Sequence, residues 1–102
     1  MSKSLQVLYP ITETTNFDYD YYFSKHIKLV KETFGDHLDS TVFIKGIASD
    51  LDKPAEYYAI ATMIFKNQSA MDLALSRAGP VMKDIANYTN TEPVLLIGEV
   101  VS

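Results

Sequence analysis

The chain lacks cysteine and tryptophan, and it has only four glycines and four prolines among its 102 residues. Without cysteine, neither disulfide stapling nor thiolate chemistry is available, which excludes a disulfide-rich secreted scaffold and a cysteine nucleophile. The four glycines stand apart from one another, so the sequence contains no glycine-rich phosphate loop. These absences predict a protein that works without a nucleotide cofactor.

Long apolar runs and clusters of positive charge are also missing. The apolar run before Pro10 is short, and no later run reaches the length that spans a bilayer. Nine basic residues against thirteen acidic ones give a net charge of -4, and the lysines are scattered, which disfavours nucleic acid as a partner. We therefore expect one cytoplasmic domain, residues 1–102, with no membrane partner.

Aromatic residues are abundant, and many of them fall in one predicted helix. The chain has seven tyrosines and five phenylalanines, and tyrosine suits a pocket or an interface because it joins apolar area to one polar group. Residues 17–35, FDYDYYFSKHIKLVKETFG, have the periodicity of a helix with one buried side. Thr15 and Asn16 are its expected caps, and Gly35 its closing residue. The predicted apolar stripe consists of Phe23, Ile27, Val30 and Phe34.

His26 lies at the edge of that stripe, about 60° from its centre at the helical angle per residue. It is the one group with a pKa near neutrality that the pattern places close to a core. A general acid or base at the rim of an apolar cleft fits this position, with Tyr22 one turn earlier to orient the imidazole or a ligand oxygen. A half-buried histidine satisfied by a tyrosine or a backbone carbonyl fits it as well, with Tyr22 as a packing residue.

The remaining chain alternates strands and helices. Residues 5–9, 41–47, 56–65 and 94–100 have the apolar and β-branched content of strands. A second helix is expected to begin at a capping box at Ser69 and to stop at Gly79, with Pro80 opening a further helical turn. The order strand, helix, strand, strand, helix, strand predicts an α+β, ferredoxin-like split βαβ fold with a four-stranded antiparallel sheet and both helices on one face.

Three of the predicted strands are apolar on both faces. In a sheet with one solvent-exposed face, each strand should instead alternate apolar and polar residues. We therefore expect the uncovered face to pair with a second copy, giving a homodimer that encloses a barrel-like interior. Tyr9, Tyr58 and Phe65 are candidates for its lining, although aromatic residues at strand spacing also suit a core. Asn87, in the polar loop before the last strand, is a further candidate ligand-binding residue.

The residues Asp36, His37 and Asp39 form a short acidic and histidine-containing cluster. One histidine and two nearby carboxylates in a connection are better explained by solvation than by coordination. The sequence therefore predicts no metal site.

Short segments in a fixed order run along nearly the whole chain: Val7-Leu8-Tyr9-Pro10, Phe17-Asp18, Tyr21-Tyr22, His26, Leu29-Val30, Asp84-Ile85, Asn87-Tyr88-Thr89, Pro93 and Ile97-Gly98-Glu99-Val100. Together they resemble the EthD family, which is named after a gene neighbourhood for the breakdown of ethyl tert-butyl ether. The resemblance implies a dimeric α+β barrel and carries the family's helix histidine over to His26. Some fungal relatives are linked to decarboxylation or dehydration of polyketide-derived aromatic acids. The sequence departs from the family at Lys28, where a proline usually stands, so the helix need not kink there.

Three hypotheses of function follow. In the first, a cofactor-free homodimer holds a small hydrophobic oxygenated or aromatic compound, and His26 moves a proton in a lyase or auxiliary catabolic step. In the second, the protein is a non-catalytic carrier that delivers such a compound to a partner oxygenase. In the third, by analogy of fold, it is a haem- or quinol-handling mono-oxygenase, with His26 as the axial ligand in the haem case.

Overall fold

Four strands form one antiparallel sheet, in a computed structural model that describes residues 1–102. The strands are β1, Lys3–Pro10; β2, Leu38–Lys45; β3, Tyr57–Phe65; and β4, Val94–Glu99. They lie in the order β2-β3-β1-β4, and every neighbouring pair is antiparallel. This is the split βαβ arrangement, and the predicted α+β, ferredoxin-like fold is confirmed.

Three helices cover one face of the sheet. The first, α1, runs without a break through α-helical Tyr19–Tyr21, π-helical Tyr22–His26 and α-helical Ile27–Phe34, and the turn Gly35–His37 follows it. Helix α2 is Gln68–Leu75, and helix α3 is Gly79–Asp84, which continues into the 3₁₀ turn Ile85–Asn87. None of the helices has both the length and the apolar character needed to cross a bilayer.

The buried side of α1 differs from the predicted stripe. Phe23 is 44% exposed, whereas Tyr22 is completely buried, so the expectation for Phe23 is wrong. In an α-helix, side chains four residues apart drift by about 40° per step, and the wider π-helical turn reduces this drift. The π segment therefore keeps one face on the sheet along the whole helix. That face consists of Tyr22, His26, Val30 and Phe34, all of them buried.

The predicted N-terminal caps of α1 are also wrong. Asp18, rather than Thr15 or Asn16, caps the helix, because its carboxylate accepts a hydrogen bond from the Tyr21 backbone N–H at 3.1 Å. The backbone N–H of Asp18 donates to the Tyr88 carbonyl at 2.7 Å. This hydrogen bond to the segment before β4 holds Asp18 in an extended conformation, so the helix begins at Tyr19.

Helix α2 likewise begins two residues earlier than a cap at Ser69 would allow. Asn67 is the cap, and its side-chain oxygen accepts a hydrogen bond from the Ala70 backbone N–H at 2.9 Å. Pro80 stands in the first turn of α3, as the sequence predicted. The short α2 and α3 thus replace what the sequence indicated as one helix with an added turn.

The core lies between the helices and the inner face of the sheet and consists of two clusters. The larger cluster joins all three helices to β1 and β3 and consists of Leu5, Val30, Phe34, Ala61, Met63, Phe65, Met71, Ala74 and Val81. The smaller cluster is largely aromatic and consists of Tyr9, Tyr22, Ala59 and Tyr88. The second cluster lies next to His26, so the aromatic residues surround the candidate site.

The outer face of the sheet has no helix over it. The strand registers place one row of side chains as Val42, Thr62, Gln6 and Leu96, and the next row as Ile44, Ile60, Leu8 and Val94. Of these, Val42, Ile44, Val94 and Leu96 are each at least half exposed. The predicted apolar character of both sheet faces is therefore confirmed. We call these two rows the outer face.

Replacing Gly35 with alanine should lower the free energy of unfolding by about 1–3 kcal/mol, because Gly35 closes α1 at a φ that an L residue rarely adopts. Its φ is 49° and its ψ is -126°, and an added Cβ would meet no atom within 4 Å. The cost is therefore conformational rather than steric. Urea denaturation followed by circular dichroism measures it.

Gly79→Ala is the matched control. The added Cβ also meets open space, and Gly35 is the only glycine with a positive φ. This substitution should leave the stability unchanged or raise it by up to about 1 kcal/mol. Equal losses for Gly35→Ala and Gly79→Ala would contradict the proposed role of Gly35.

Candidate functional site

A cavity of about 660 Å³ lies between the helices and the inner face of the sheet. Its wall is mostly apolar, since 17 of its 23 lining residues are hydrophobic. Met82, Leu95 and Ile97 belong to the wall and are each at least half exposed, so the mouth of the cavity lies beside β4. A concave apolar site of this size with a few polar groups is typical of a small-molecule binding site.

His26 forms part of the cavity wall, in the π-helical segment of α1. It is only 3% exposed, so it lies inside the protein rather than at the edge of a buried stripe. Its ring stacks on Tyr22, with 5.6 Å between ring centroids, and lies 4.6 Å from the ring of Tyr88. The histidine therefore reaches the cavity with Lys28 in place of the family's proline.

The partner of His26 is a carboxylate. His26 Nδ1 lies 2.8 Å from Asp84 Oδ2, at the end of α3. The other oxygen, Oδ1, accepts hydrogen bonds from the Tyr21 hydroxyl at 2.6 Å and from the Asn87 side-chain amide at 3.0 Å. Desolvation favours a raised pKa for Asp84, yet the hydrogen bonds from Tyr21, Asn87 and His26 outweigh it, and the pKa lies below its usual value.

These hydrogen bonds set the tautomer of the imidazole. Since Asp84 is ionised at neutral pH and accepts only, His26 Nδ1 must carry the proton that it donates. Burial lowers the pKa of His26, and the hydrogen bond and charge of Asp84 offset this only in part. The ring is therefore neutral at neutral pH, with its lone pair on Nε2.

Nε2 has no hydrogen-bond partner in the chain, whereas Nδ1 is bound to Asp84. Asp84 is not part of the cavity wall and His26 is, so Nε2 is the nitrogen that the ring presents to the cavity. A neutral imidazole oriented by a carboxylate is the arrangement of a general base. The site can thus accept a proton from a molecule held in the cavity.

Tyr22 is a second residue of the cavity wall that carries a polar group. Its side chain is completely buried, and its hydroxyl is the only buried side-chain polar atom without a hydrogen-bond partner. Desolvation raises the pKa of Tyr22, so the hydroxyl stays protonated. An unpaired buried hydroxyl costs about 1–3 kcal/mol, and an oxygen of a bound molecule would relieve this cost.

The four predicted ligand-binding residues occupy different places. Tyr9 lines the cavity, and its hydroxyl pairs with that of Tyr88 at 2.8 Å. Phe65 is completely buried in the larger core cluster, away from the cavity wall. Asn87 is not in the wall either, but it holds Asp84 in place.

Tyr58 is also outside the cavity wall and lies at the start of β3. Its ring stacks on Phe17 at 5.1 Å, and its hydroxyl is hydrogen bonded to Thr15 Oγ1 at 2.8 Å. It thus holds the segment between β1 and α1. The structure brings His26, Tyr22 and Tyr9 together at the cavity, and not Tyr58, Phe65 or Asn87.

Two residues of the site escaped the sequence reasoning. Asp84 and Tyr21 form the hydrogen-bonded group behind His26, yet Asp84 is 58 residues away from it along the chain. Both stand in the segments that resemble the EthD family, and this was the only available signal. An aspartate at the end of a short helix is usually solvated, so nothing in the local sequence indicates that Asp84 contacts a buried histidine.

The residues fit neither a metal ion nor haem. No group of three or more histidine, aspartate or glutamate side chains is placed to hold a metal. Nε2 has the chemistry of an axial haem ligand. However, no lysine or arginine lines the cavity to pair with the haem propionates, and Glu92 is a wall residue of the wrong charge.

Comparison with known proteins places the chain in a family. The EthD domain model matches residues 12–92. An EthD-like protein from Ralstonia eutropha JMP134 is 34% identical, with a TM-score of 0.88 over 99% of this chain and 93% of that chain. An ethyl tert-butyl ether D (EthD) family protein from Bacillus halodurans C-125 is 19% identical, with a TM-score of 0.71 over 99% of this chain and 100% of that chain.

A more distant relative shares the fold. SnoaB, a cofactor-independent oxygenase from Streptomyces nogalater, is 12% identical, with a TM-score of 0.62 over 98% of this chain and 95% of that chain. At this identity the likeness concerns the fold alone. No curated protein matches the chain. The extent of the domain match and the identity to the Ralstonia eutropha protein show that the chain belongs to the EthD family.

Proposed function

We propose that the cavity binds a small, apolar, oxygen-bearing compound and that His26 exchanges a proton with it. The observation that carries this proposal is the free Nε2 of a buried, neutral imidazole whose other nitrogen is bound to Asp84. A histidine kept only for packing would not need a carboxylate behind it, since burying that carboxylate costs free energy. The apolar wall removes water from the ligand and so strengthens each polar contact.

The reaction starts when Nε2 removes a proton from an acidic C–H or O–H of the ligand. The electron pair stays on the ligand, and the Tyr22 hydroxyl donates a hydrogen bond to the oxygen where negative charge develops. Asp84 stabilises the imidazolium that forms. If the imidazolium then gives its proton to a departing hydroxyl, a C–O bond breaks, a C=C bond forms and water leaves, which is a lyase step.

The same proton removal also prepares a ligand for a different chemistry. SnoaB is described as a cofactor-independent oxygenase. A deprotonated compound is more electron-rich than its neutral form and is therefore more easily oxidised. A carrier would share the binding but not the proton transfer. The oriented imidazole favours an enzyme over a carrier, because binding alone needs no oriented base.

We further propose that two copies of the chain associate through the outer face. The two rows that define this face contain no charged side chain, so a second copy meets no like charge there. At the centre, the Gln6 side-chain amide donates to Thr62 Oγ1 at 3.2 Å, which leaves few polar groups unsatisfied on burial. A symmetric pair covers the same patch on both subunits.

Replacing Leu96 with glutamate should convert the proposed dimer to a monomer, because a charge would enter the apolar outer face that the second copy covers. Leu73→Glu is the matched control, since Leu73 is 48% exposed on helix α2 and Leu96 is 58% exposed. Light scattering after size exclusion measures the mass at micromolar concentration. A monomeric wild-type protein, or equal effects of both substitutions, would contradict this proposal.

Proton transfer can be tested with 2-tetralone, a neutral apolar ketone with acidic α C–H bonds. In D₂O, the protein should accelerate deuterium exchange at these carbons, and His26→Gln should reduce the rate to background. Asp84→Asn should slow the exchange by a factor on the order of 10²–10⁴, because it disturbs the tautomer of His26. Proton NMR of the ketone measures the exchange.

His37→Gln is the control for this experiment, since His37 lies in the turn after α1 and not in the cavity wall. It should leave the exchange rate unchanged. Exchange that survives His26→Gln would contradict the base role. Binding of the ketone without exchange would favour the carrier function.

The stability of the fold should fall as the pH drops below the usual histidine pKa of 6.5. The folded-state pKa of His26 is lowered, so the unfolded chain binds its proton first. The contribution of the neutral ring is complete above the unfolded pKa and is lost as the pH falls through the folded pKa. The stability difference between wild type and His26→Gln should therefore shrink in acid. Urea unfolding at several pH values measures this, and a difference that grows in acid would contradict it.

A further inference from the structure

Charge is nearly absent from the cavity wall, and this limits what the cavity can hold. We propose, on the basis of the proposed function above, that the cavity takes uncharged ligands and that Glu92 at its mouth repels anions. The cavity should therefore bind neutral carbonyl or hydroxyl compounds in preference to carboxylic acids of the same shape.

The wall offers no counter-ion for an anion. None of the nine lysine and arginine residues lines the cavity, and Glu92 is the only Asp or Glu among the lining residues. Transfer of a carboxylate from water into an apolar site without a cation is strongly unfavourable. The neutral His26 ring cannot replace that cation, because it presents a lone pair to the cavity.

The uncharged polar groups of the wall do not make an anion site either. Asn90 uses its side chain for the Asn16 backbone N–H and the Thr14 carbonyl. The Thr91 hydroxyl donates to the Pro10 carbonyl at 2.6 Å. The Thr89 hydroxyl is engaged in the same way with the backbone of the segment before α1.

Two uncharged polar side-chain atoms of wall residues have no hydrogen-bond partner within the chain. Nε2 of His26 accepts a hydrogen bond or a proton, and the unpartnered hydroxyl of Tyr22 donates one. A neutral molecule that carries one acidic hydrogen and one oxygen acceptor satisfies both atoms. A carboxylate would place negative charge against the lone pair of Nε2.

Glu92 adds a repulsive charge where a ligand enters. It is exposed, it belongs to the cavity wall, and it lies two residues before β4, which borders the mouth. It takes part in no ion pair or side-chain hydrogen bond, so its charge is not neutralised within the chain. A charge at the mouth of a low-dielectric cavity acts on each ionised molecule that approaches.

The test compares 2-naphthamide with 2-naphthoate, which have the same shape but differ in charge. Titration calorimetry slightly above neutral pH and at low ionic strength should show the amide binding at least about tenfold more tightly than the acid. Glu92→Gln should reduce this preference by about threefold, and Glu92→Lys should reduce it further. Asp52→Lys, with the same charge change in the exposed β2–β3 connection, should leave the preference unchanged.

Each outcome bears on a different proposal. Equal or tighter binding of 2-naphthoate overturns the inference of an uncharged ligand while leaving the cavity as a binding site. A preference that Glu92→Lys does not reduce more than Asp52→Lys overturns the role of Glu92. If neither compound binds, the proposed function fails, and the inference fails with it.

Discussion

The hydrogen bond between His26 Nδ1 and Asp84 Oδ2 joins the two halves of the chain at the site. It connects the middle of α1 to the end of α3, and Tyr21 and Asn87 both donate hydrogen bonds to the other oxygen of the carboxylate. The bond fixes the tautomer of the imidazole, keeps the carboxylate paired inside the protein and leaves Nε2 for the cavity. One pair of atoms, His26 Nδ1 and Asp84 Oδ2, therefore determines the orientation of the imidazole ring and its ability to act as a base. The same pair also contributes to the contact between α1 and α3.

The aromatic cluster makes this pair possible. The rings of Tyr22 and Tyr88 lie against the imidazole, and their area excludes water from it. Water exclusion lowers the pKa of His26, while Asp84 prevents the ring from losing its orientation. The abundance of tyrosine in the sequence thus has a physical use, since each ring adds apolar area next to a polar group that the site needs.

The sequence was sufficient for the fold, because the succession of strands and helices along the chain can be read from local composition, and this succession is typical of the split βαβ arrangement. It was also sufficient to single out His26 and Tyr22, since a histidine beside an apolar stripe is uncommon. It did not reveal Asp84 as the partner, because that contact spans 58 residues and has no local pattern. Phe23 was misplaced for a related reason: a π-helical turn changes the angle per residue, and propensity alone does not indicate where such a turn occurs.

The π-helical segment 22–26 has a consequence for how this helix can change in evolution. In this segment the hydrogen bond from Ile27 N–H to the Tyr22 carbonyl spans five residues instead of four, so the segment holds one residue more than a regular turn. Because five residues of a π turn and four of an α turn cover nearly the same rotation, deleting a single residue there would restore regular winding and leave the helix after Ile27 in nearly the same orientation. The exposed residues 23–25 are therefore the part of the helix where relatives can be one residue shorter while the buried contacts of Val30 and Phe34 are kept.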